Sequence, residues 1–306
     1  LIIIFTIINV KILNPKNYFE FIICTLALMN PSTLLLIERM NFDILLYIII
    51  VILACNNFFF FNWLLVIYSF LFKFHPFIYG LIIFVEKEKR KIKNLILIFL
   101  FILISSISFI YIFRDEYRLM FESSGAWKMG LHYLFSIKAI PKVLKEAFSM
   151  HYGLVLLVIY TIFIIQIIKK SSNYNFTNNK YTFEKKLFFI STNSLLFCFV
   201  TFSNAFYREV FLILAIPYLL ANINIFRNIL LLLCIKYFFN FIYTIDLNFE
   251  TFYHIDNIRI YKTHFLTTVF IKGLIDYVLM MFLGSIVLKM NLELLNVYKK
   301  PKIEIK

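Results

Sequence analysis

NPSTLLLIERMNFDILLYIIIVILACNNFFFFNWLLVIYSFLFKFHP, residues 30–76, decides how the chain is read. It opens on Asn30-Pro31 and sets Glu38-Arg39-Met40-Asn41-Phe42-Asp43 ahead of an apolar run. Asn56-Asn57 interrupts it, and it closes on Lys73-Phe74-His75-Pro76. A single Asp, Lys or Arg at mid-bilayer costs about 2.5–3.5 kcal/mol on insertion scales, so such charges stand at a membrane surface or in a polar cavity. Proline removes a backbone donor and disfavours helix at the residue before it. This predicts a turn at Asn30 and a re-entrant or surface segment through Ile37.

Outward from this stretch, the composition sets the class. Of 306 residues 62% are hydrophobic and 16% charged, and the mean hydropathy is +0.85. An ordinary soluble domain is excluded. The expected fold is all-α, a polytopic transmembrane bundle of about 10–11 helices or half-helices. One membrane domain covers 1–306, with outer loops 114–150 and 246–264 and a cytoplasmic tail 289–306. The 39 Phe and 19 Tyr, beside many Ile, Asn and Lys, match an AT-rich coding sequence and carry no functional weight.

The net charge of +14 does not point to nucleic acid, because of where the charge lies. Lys87, Lys89, Arg90, Lys91 and Lys93 form one cluster, Lys169, Lys170, Lys180, Lys185 and Lys186 a second, and Lys289, Lys299, Lys300, Lys302 and Lys306 a third. All three fall between or after apolar runs, as cytoplasmic segments do under the positive-inside rule. Cys24, Cys55, Cys198 and Cys234 lie in apolar segments with no metal-like spacing and are expected to pack. No cofactor or metal site is indicated, and the residues leave open whether a divalent metal assists. The first residue is Leu, and the apolar run begins without a basic leader, so the expectation is a chain truncated at its N-terminus.

The apolar runs are Leu1 to Leu13, Tyr18 to Met29, Asp43 to Cys55, Phe58 to Phe72 and Phe77 to Val85, several shorter than the about 20 residues a perpendicular helix needs. Longer runs follow at Asn94 to Phe113, His151 to Ile168, Leu187 to Ser203, Val210 to Ile225, Asn228 to Ile245 and Phe265 to Leu288. Counting crossings puts the basic clusters on one side. The other side, extracytoplasmic, receives 38–43, 73–76, loop 114–150, turn 204–209 and loop 246–264.

Each polar cluster has a plain structural account and a functional one. Asp43 or Asn41 suits a helix N-cap, whereas Glu38-Arg39 side by side suits a cavity that binds a sugar or phosphate. Lys73 is either a snorkelling lysine at a kinked end or a phosphate ligand with His75 beside it. Tyr207-Arg208-Glu209 is either an ion pair in a turn or, through Arg208, a bidentate phosphate contact. Arg114-Asp115-Glu116 begins the longest outer loop, which continues through Ile140-Pro141-Lys142 with amphipathic stretches suited to a helix on the membrane surface.

The order NP, ERMNFD, apolar run, KFHP resembles the ERGN-D and K-x-x-P pattern of polytopic glycosyltransferases of family 87. Those enzymes depend on polyprenyl-phosphate-mannose and have the GT-C architecture. The stretch from Thr201 to Pro217, with Asn204, Tyr207, Arg208, Phe211 and Leu212, is similar to an F…N-x-x-YR-x-x-FL-x-x-x-P segment in bacterial relatives of that group. Met40 stands where the family usually has glycine. The resemblance implies a mannosyltransferase-like hexosyltransferase in a bacterial inner membrane, acting from a polyprenyl-phosphate-linked sugar on a glycan or lipid acceptor of the cell envelope. Glu38, Asp43 and Asp115 are then the candidate catalytic carboxylates. Arg39, Asn41, Lys73, His75, Tyr207 and Arg208 are the candidate donor-phosphate or substrate ligands. Such enzymes typically carry a catalytic acid in the first extracytoplasmic loop, and the chain is expected to begin after it. The implied chemistry is displacement at the anomeric carbon, with a carboxylate taking the acceptor proton and cations stabilising the departing lipid phosphate. The alternatives are an O-antigen-type polymerase and a transporter or flippase without chemistry. A transporter would be expected to show an internal repeat of broken helices.

Overall fold

The computed structural model describes residues 1–38, 42–56, 58–72, 75–81, 96, 100, 103–104, 107–108, 111–115, 135–174, 182–201, 206–248, 252–255 and 258–299. The first basic cluster, most of the expected span 94–113 and much of loop 114–150 lie outside the described residues. Five helices lead the chain: α1 (Ile2–Leu13), α2 (Tyr18–Leu28), α3 (Pro31–Glu38), α4 (Asp43–Cys55) and α5 (Phe59–Phe72). A 3-10 helix, His75–Leu81, follows. Then come α6 (Ala139–Phe148), α7 (Tyr152–Ser171) and α8 (Phe183–Thr201), a second 3-10 helix (Phe206–Ala215), α9 (Ile216–Ala221), α10 (Ile223–Asn248) and α11 (Thr263–Lys299). Among the described residues the helical expectation holds, with one exception in loop 246–264. There β1 (Phe252–Ile255) pairs antiparallel with β2 (Ile258–Tyr261), Phe252 opposite Tyr261.

Among the described residues three helices are long and apolar enough to cross a membrane: Tyr152–Ser171, Ile223–Asp246 and Thr263–Leu294. The pair α2 and α3, bent by 43°, makes a fourth if it is one span. By these helices the chain is a membrane protein. Of the span in α7 only 6% is buried, against 61% for that in α11, so α7 turns most of its apolar surface outward and α11 runs through the interior.

The bend between α2 and α3 is built by the residues at Asn30. The Asn30 carbonyl accepts from the backbone N–H of Thr33 (2.9 Å) and Leu34 (3.0 Å). Its Oδ1 accepts from Ser32 N (3.0 Å) and Ser32 Oγ (2.7 Å), and Thr33 Oγ1 donates to Ala27 O at 2.9 Å. Backbone groups released by the proline are therefore satisfied inside the protein, as an apolar surround demands. Pro31, Ser32, Thr33 and Leu36 are buried, so the start of α3 packs inside the protein and is not a surface segment. The Asn56 break works similarly, with Asn56 Nδ2 donating to Asn62 Oδ1 (2.8 Å) and Asn62 Nδ2 to Asn56 O (3.0 Å).

The expected span from Val210 to Ile225 is not one helix. Residues 210–215 complete the second 3-10 helix, and Pro217 stands in the first turn of α9, where a missing N–H costs nothing. Val210 to Leu220 is buried throughout, so this run is protein core. It packs against α8 and α3, and Phe211 stacks on Tyr47 (6.5 Å between centroids), which also meets Phe5 (4.9 Å). Tyr47 donates to Asn9 Oδ1 at 2.5 Å, tying α1 to α4.

Residues 135–138 close the end of α8. Ile137 N donates to Phe199 O (3.0 Å) and Lys138 Nζ to Thr201 O (2.8 Å), placing a cation on orphaned terminal carbonyls. In α6, Ala139, Ile140, Pro141 and Val143 are buried while Phe148 is exposed, the two-faced helix expected in that loop. Burial, with Lys138 nearby, holds the Lys142 ammonium below its ordinary value, and Glu146 opposes this.

Gly284 lets α11 approach its neighbours. A Cβ there would stand 2.9 Å from Ile167 Cδ1 and 3.2 Å from Leu196 Cδ1. Gly284→Leu is expected to cost about 1–3 kcal/mol by overpacking. Gly284→Ala should be close to neutral, because two mobile methyl ends yield and the helix gains about 0.5–1 kcal/mol. Thermal unfolding of the detergent-solubilised variants checks both.

Candidate functional site

Two charged clusters meet at the start of the second 3-10 helix. A 3-10 helix has three residues per turn, so neighbouring side chains diverge by about 120° and Arg208 and Glu209 face different partners.

Arg208 turns toward α4. Its Nε lies 4.0 Å from Asp43 Oδ2, with the Asp43 side chain fully buried and Arg208 19% exposed. Arg208 Nη1 is 3.9 Å from Cys198 Sγ on α8. Tyr79, from the first 3-10 helix, is buried within electrostatic reach of Asp43, Arg208 and Cys198, beside Ser194. Asp43 does not cap α4. Phe42 is the N-cap residue and Asp43 opens the first turn, its carboxylate turned to the guanidinium.

Glu209 turns the other way, into a closed ring of four charges. Its Oε2 meets Lys236 Nζ at 2.9 Å and its Oε1 meets Lys272 Nζ at 2.8 Å. Asp276 completes the ring, Oδ2 at 2.7 Å from Lys272 and Oδ1 bonded to Lys236. All four side chains are at most 3% exposed. Two cations and two anions alternate, so the ring is neutral as a unit, the condition under which buried charges are tolerated. Aromatic faces lie near both cations, Phe135 5.5 Å from Lys236 Nζ and Tyr243 5.4 Å from Lys272 Nζ. Asn240 Nδ2 donates to Glu209 Oε2 (2.7 Å) and to Asn30 Oδ1 (3.1 Å). The ring is thus tied to the α2–α3 bend. Lys236 lies near the middle of the Ile223–Asp246 span, and Lys272 and Asp276 lie inside the Thr263–Leu294 span. Ionisable groups at such depth are expensive and mark functional or organising positions.

Compared with family models, curated proteins and solved structures, the chain matches none.

Of the candidates read from the sequence, the structure brings Asp43 and Arg208 together. Glu38 ends α3 and is exposed. Asp115 is likewise exposed, 3.8 Å from Arg114 Nε with 80% of its side chain open, so it is a solvated helix-end pair and not part of the cluster. Arg39, Asn41 and Lys73 lie outside the described residues, as do the side chains of His75 and Tyr207. The turn does not hold an Arg208–Glu209 ion pair, since each residue has its own partners. Cys24 and Cys198 are buried as expected of packing residues, whereas Cys55 is exposed. Among the described residues no group of three or more His, Cys, Asp or Glu is arranged to hold a metal.

Sequence reasoning missed Lys236, Lys272 and Asp276. Their signal was present: each is an isolated charge inside an apolar span, and Lys272 and Asp276 stand four residues apart, on one helix face.

Proposed function

We propose that the chain is a membrane glycosyltransferase of GT-C type, moving a sugar from a polyprenyl-phosphate donor to a glycan or lipid acceptor on the extracytoplasmic face of a bacterial plasma membrane. One observation carries this. Asp43 and Arg208, from the two stretches that resemble family 87 and its relatives, lie 4.0 Å apart, with Tyr79 of the KFHP helix beside them. The Arg208 side chain is 19% exposed, with its Nε buried on the Asp43 side. Its planar fork suits a phosphate bidentately, and near a departing lipid phosphate it would stabilise the negative charge that grows as the anomeric bond breaks. Asp43, fully buried behind it, aligns the guanidinium. Glu38, exposed at the end of α3 on the same stretch, is the carboxylate open to an acceptor hydroxyl. Lys73 and His75 are assigned to the same phosphate by the resemblance.

A transporter is the second reading, favoured by the bent α2–α3 pair whose Asn30 reaches a charged ring within the spans. Discontinuous helices beside ionisable groups are characteristic of transport sites. A single experiment separates the two. Membranes containing the chain are given radiolabelled polyprenyl-phosphate-mannose and, separately, other hexose donors. The expected result is label in a new glycosidic product. Label that crosses a sealed vesicle without forming that bond, for every donor tried, would establish the transporter instead.

A further inference from the structure

We propose that the ring of Lys236, Lys272 and Asp276 around Glu209 is a positioning device that holds Arg208 against Asp43. The role given to Arg208 rests on the proposed function; its placement rests on geometry alone. Glu209 is held from three directions: by Lys236 and Asn240 on α10, at 2.9 and 2.7 Å, and by Lys272 on α11, at 2.8 Å. Asp276 holds both lysines, so neither can leave Glu209 without stranding a second charge. Arg208 is the neighbouring residue on the same 3-10 helix. In a 3-10 run, with its poorer hydrogen-bond geometry, side-chain anchorage sets the rotation of the backbone. A rotation of one residue's worth, about 120°, would carry Arg208 away from α4. The ring therefore fixes which side chain faces Asp43. Buried ionic groups of this kind are best attested as register locks.

The test compares three backgrounds of the purified chain. In the wild type, Asp43→Asn and Arg208→Gln are each expected to lower the melting temperature, and the double variant by less than their sum, since each single change strands one charge. In Glu209→Gln/Lys236→Met, which removes one charge of each sign and leaves Lys272 paired with Asp276, the two effects should become additive. Glu209→Asp is the third background, keeping the charge but drawing the carboxylate back by one methylene, and should weaken the coupling in part. Transfer from radiolabelled polyprenyl-phosphate-mannose supplies the other readout. The ring variant should lose about 10²-fold, the scale of a misplaced positioning group, and lose nothing further when Arg208→Gln is already present. A ring that merely stabilised the fold would lower activity equally in both cases. Coupling between Asp43 and Arg208 that survives loss of the ring overturns the proposal. Coupling that vanishes while transfer ignores Arg208 sinks the glycosyltransferase reading and leaves the positioning intact.

Discussion

Lys272→Met is expected to destabilise the protein by about 3–5 kcal/mol, the cost of leaving a buried charge without its partner. Lys272 bonds Glu209 at 2.8 Å and Asp276 at 2.7 Å, and its removal leaves two carboxylates to share Lys236. Water cannot relieve the imbalance, because Glu209 and Asp276 are at most 2% exposed. The sign of the effect reverses when the change is balanced. Lys272→Met with Asp276→Leu removes one cation and one anion and leaves the Glu209–Lys236 pair closed, and replacing a buried pair by apolar groups is often neutral or stabilising by about 1–4 kcal/mol. The double variant should therefore unfold close to or above the wild type, well above Lys272→Met alone. Thermal unfolding in one detergent, followed by loss of helical signal, measures all three proteins. A single variant within about 1 kcal/mol of wild type would mean that the charges are solvated, as exposed pairs are, and the ring would lose its role.

How much of this was legible in the sequence depends on whether a signal was local. The bounds of α4, Asp43–Cys55, fall where an apolar run meets an acid at one end and Asn56 at the other. The α2–α3 bend falls at Asn30-Pro31, because proline acts on its immediate neighbours. The Val210 to Ile225 run misled because apolarity has two meanings in a membrane protein. A side chain turned to lipid and one turned to the protein interior are equally apolar, and only the packing of α8 and α3 around Val210 to Ala215 distinguishes them. The ring was hidden for a different reason. Glu209 meets Lys236 and Lys272 across three separate elements, and nothing in the sequence specifies which element lies beside which. What was available was the cost of each charge: Lys236 and Asp276, surrounded by apolar residues for a full turn on either side, had to be compensated by something. Long-range compensation was predictable; its partner was not. The same limit applied to Asp43, which local rules rightly make a helix-start acid but whose partner Arg208 they do not name.

Arg208→Gln is expected to lower transfer from a polyprenyl-phosphate-sugar by about 10²–10³-fold, the usual loss when one donor to a developing anion is removed. The loss should fall mainly on kcat, because charge on the leaving phosphate grows as the anomeric bond breaks and a neutral amide cannot follow it. Arg208→Lys should recover part of the rate: it restores the charge but not the two-pronged contact. Asp43→Asn separates alignment from charge. It keeps the shape behind Arg208 but removes the anion that orients the guanidinium, so its loss should be smaller than that of Arg208→Gln and should shrink when Arg208→Lys is already present, as expected of residues acting as one unit. Each variant is compared at equal helical content and equal protein, so that unfolding is not counted as lost chemistry. Full transfer by Arg208→Gln would remove Arg208 from the donor site, and the guanidinium beside Cys198 would then stand only as a structural partner of Asp43.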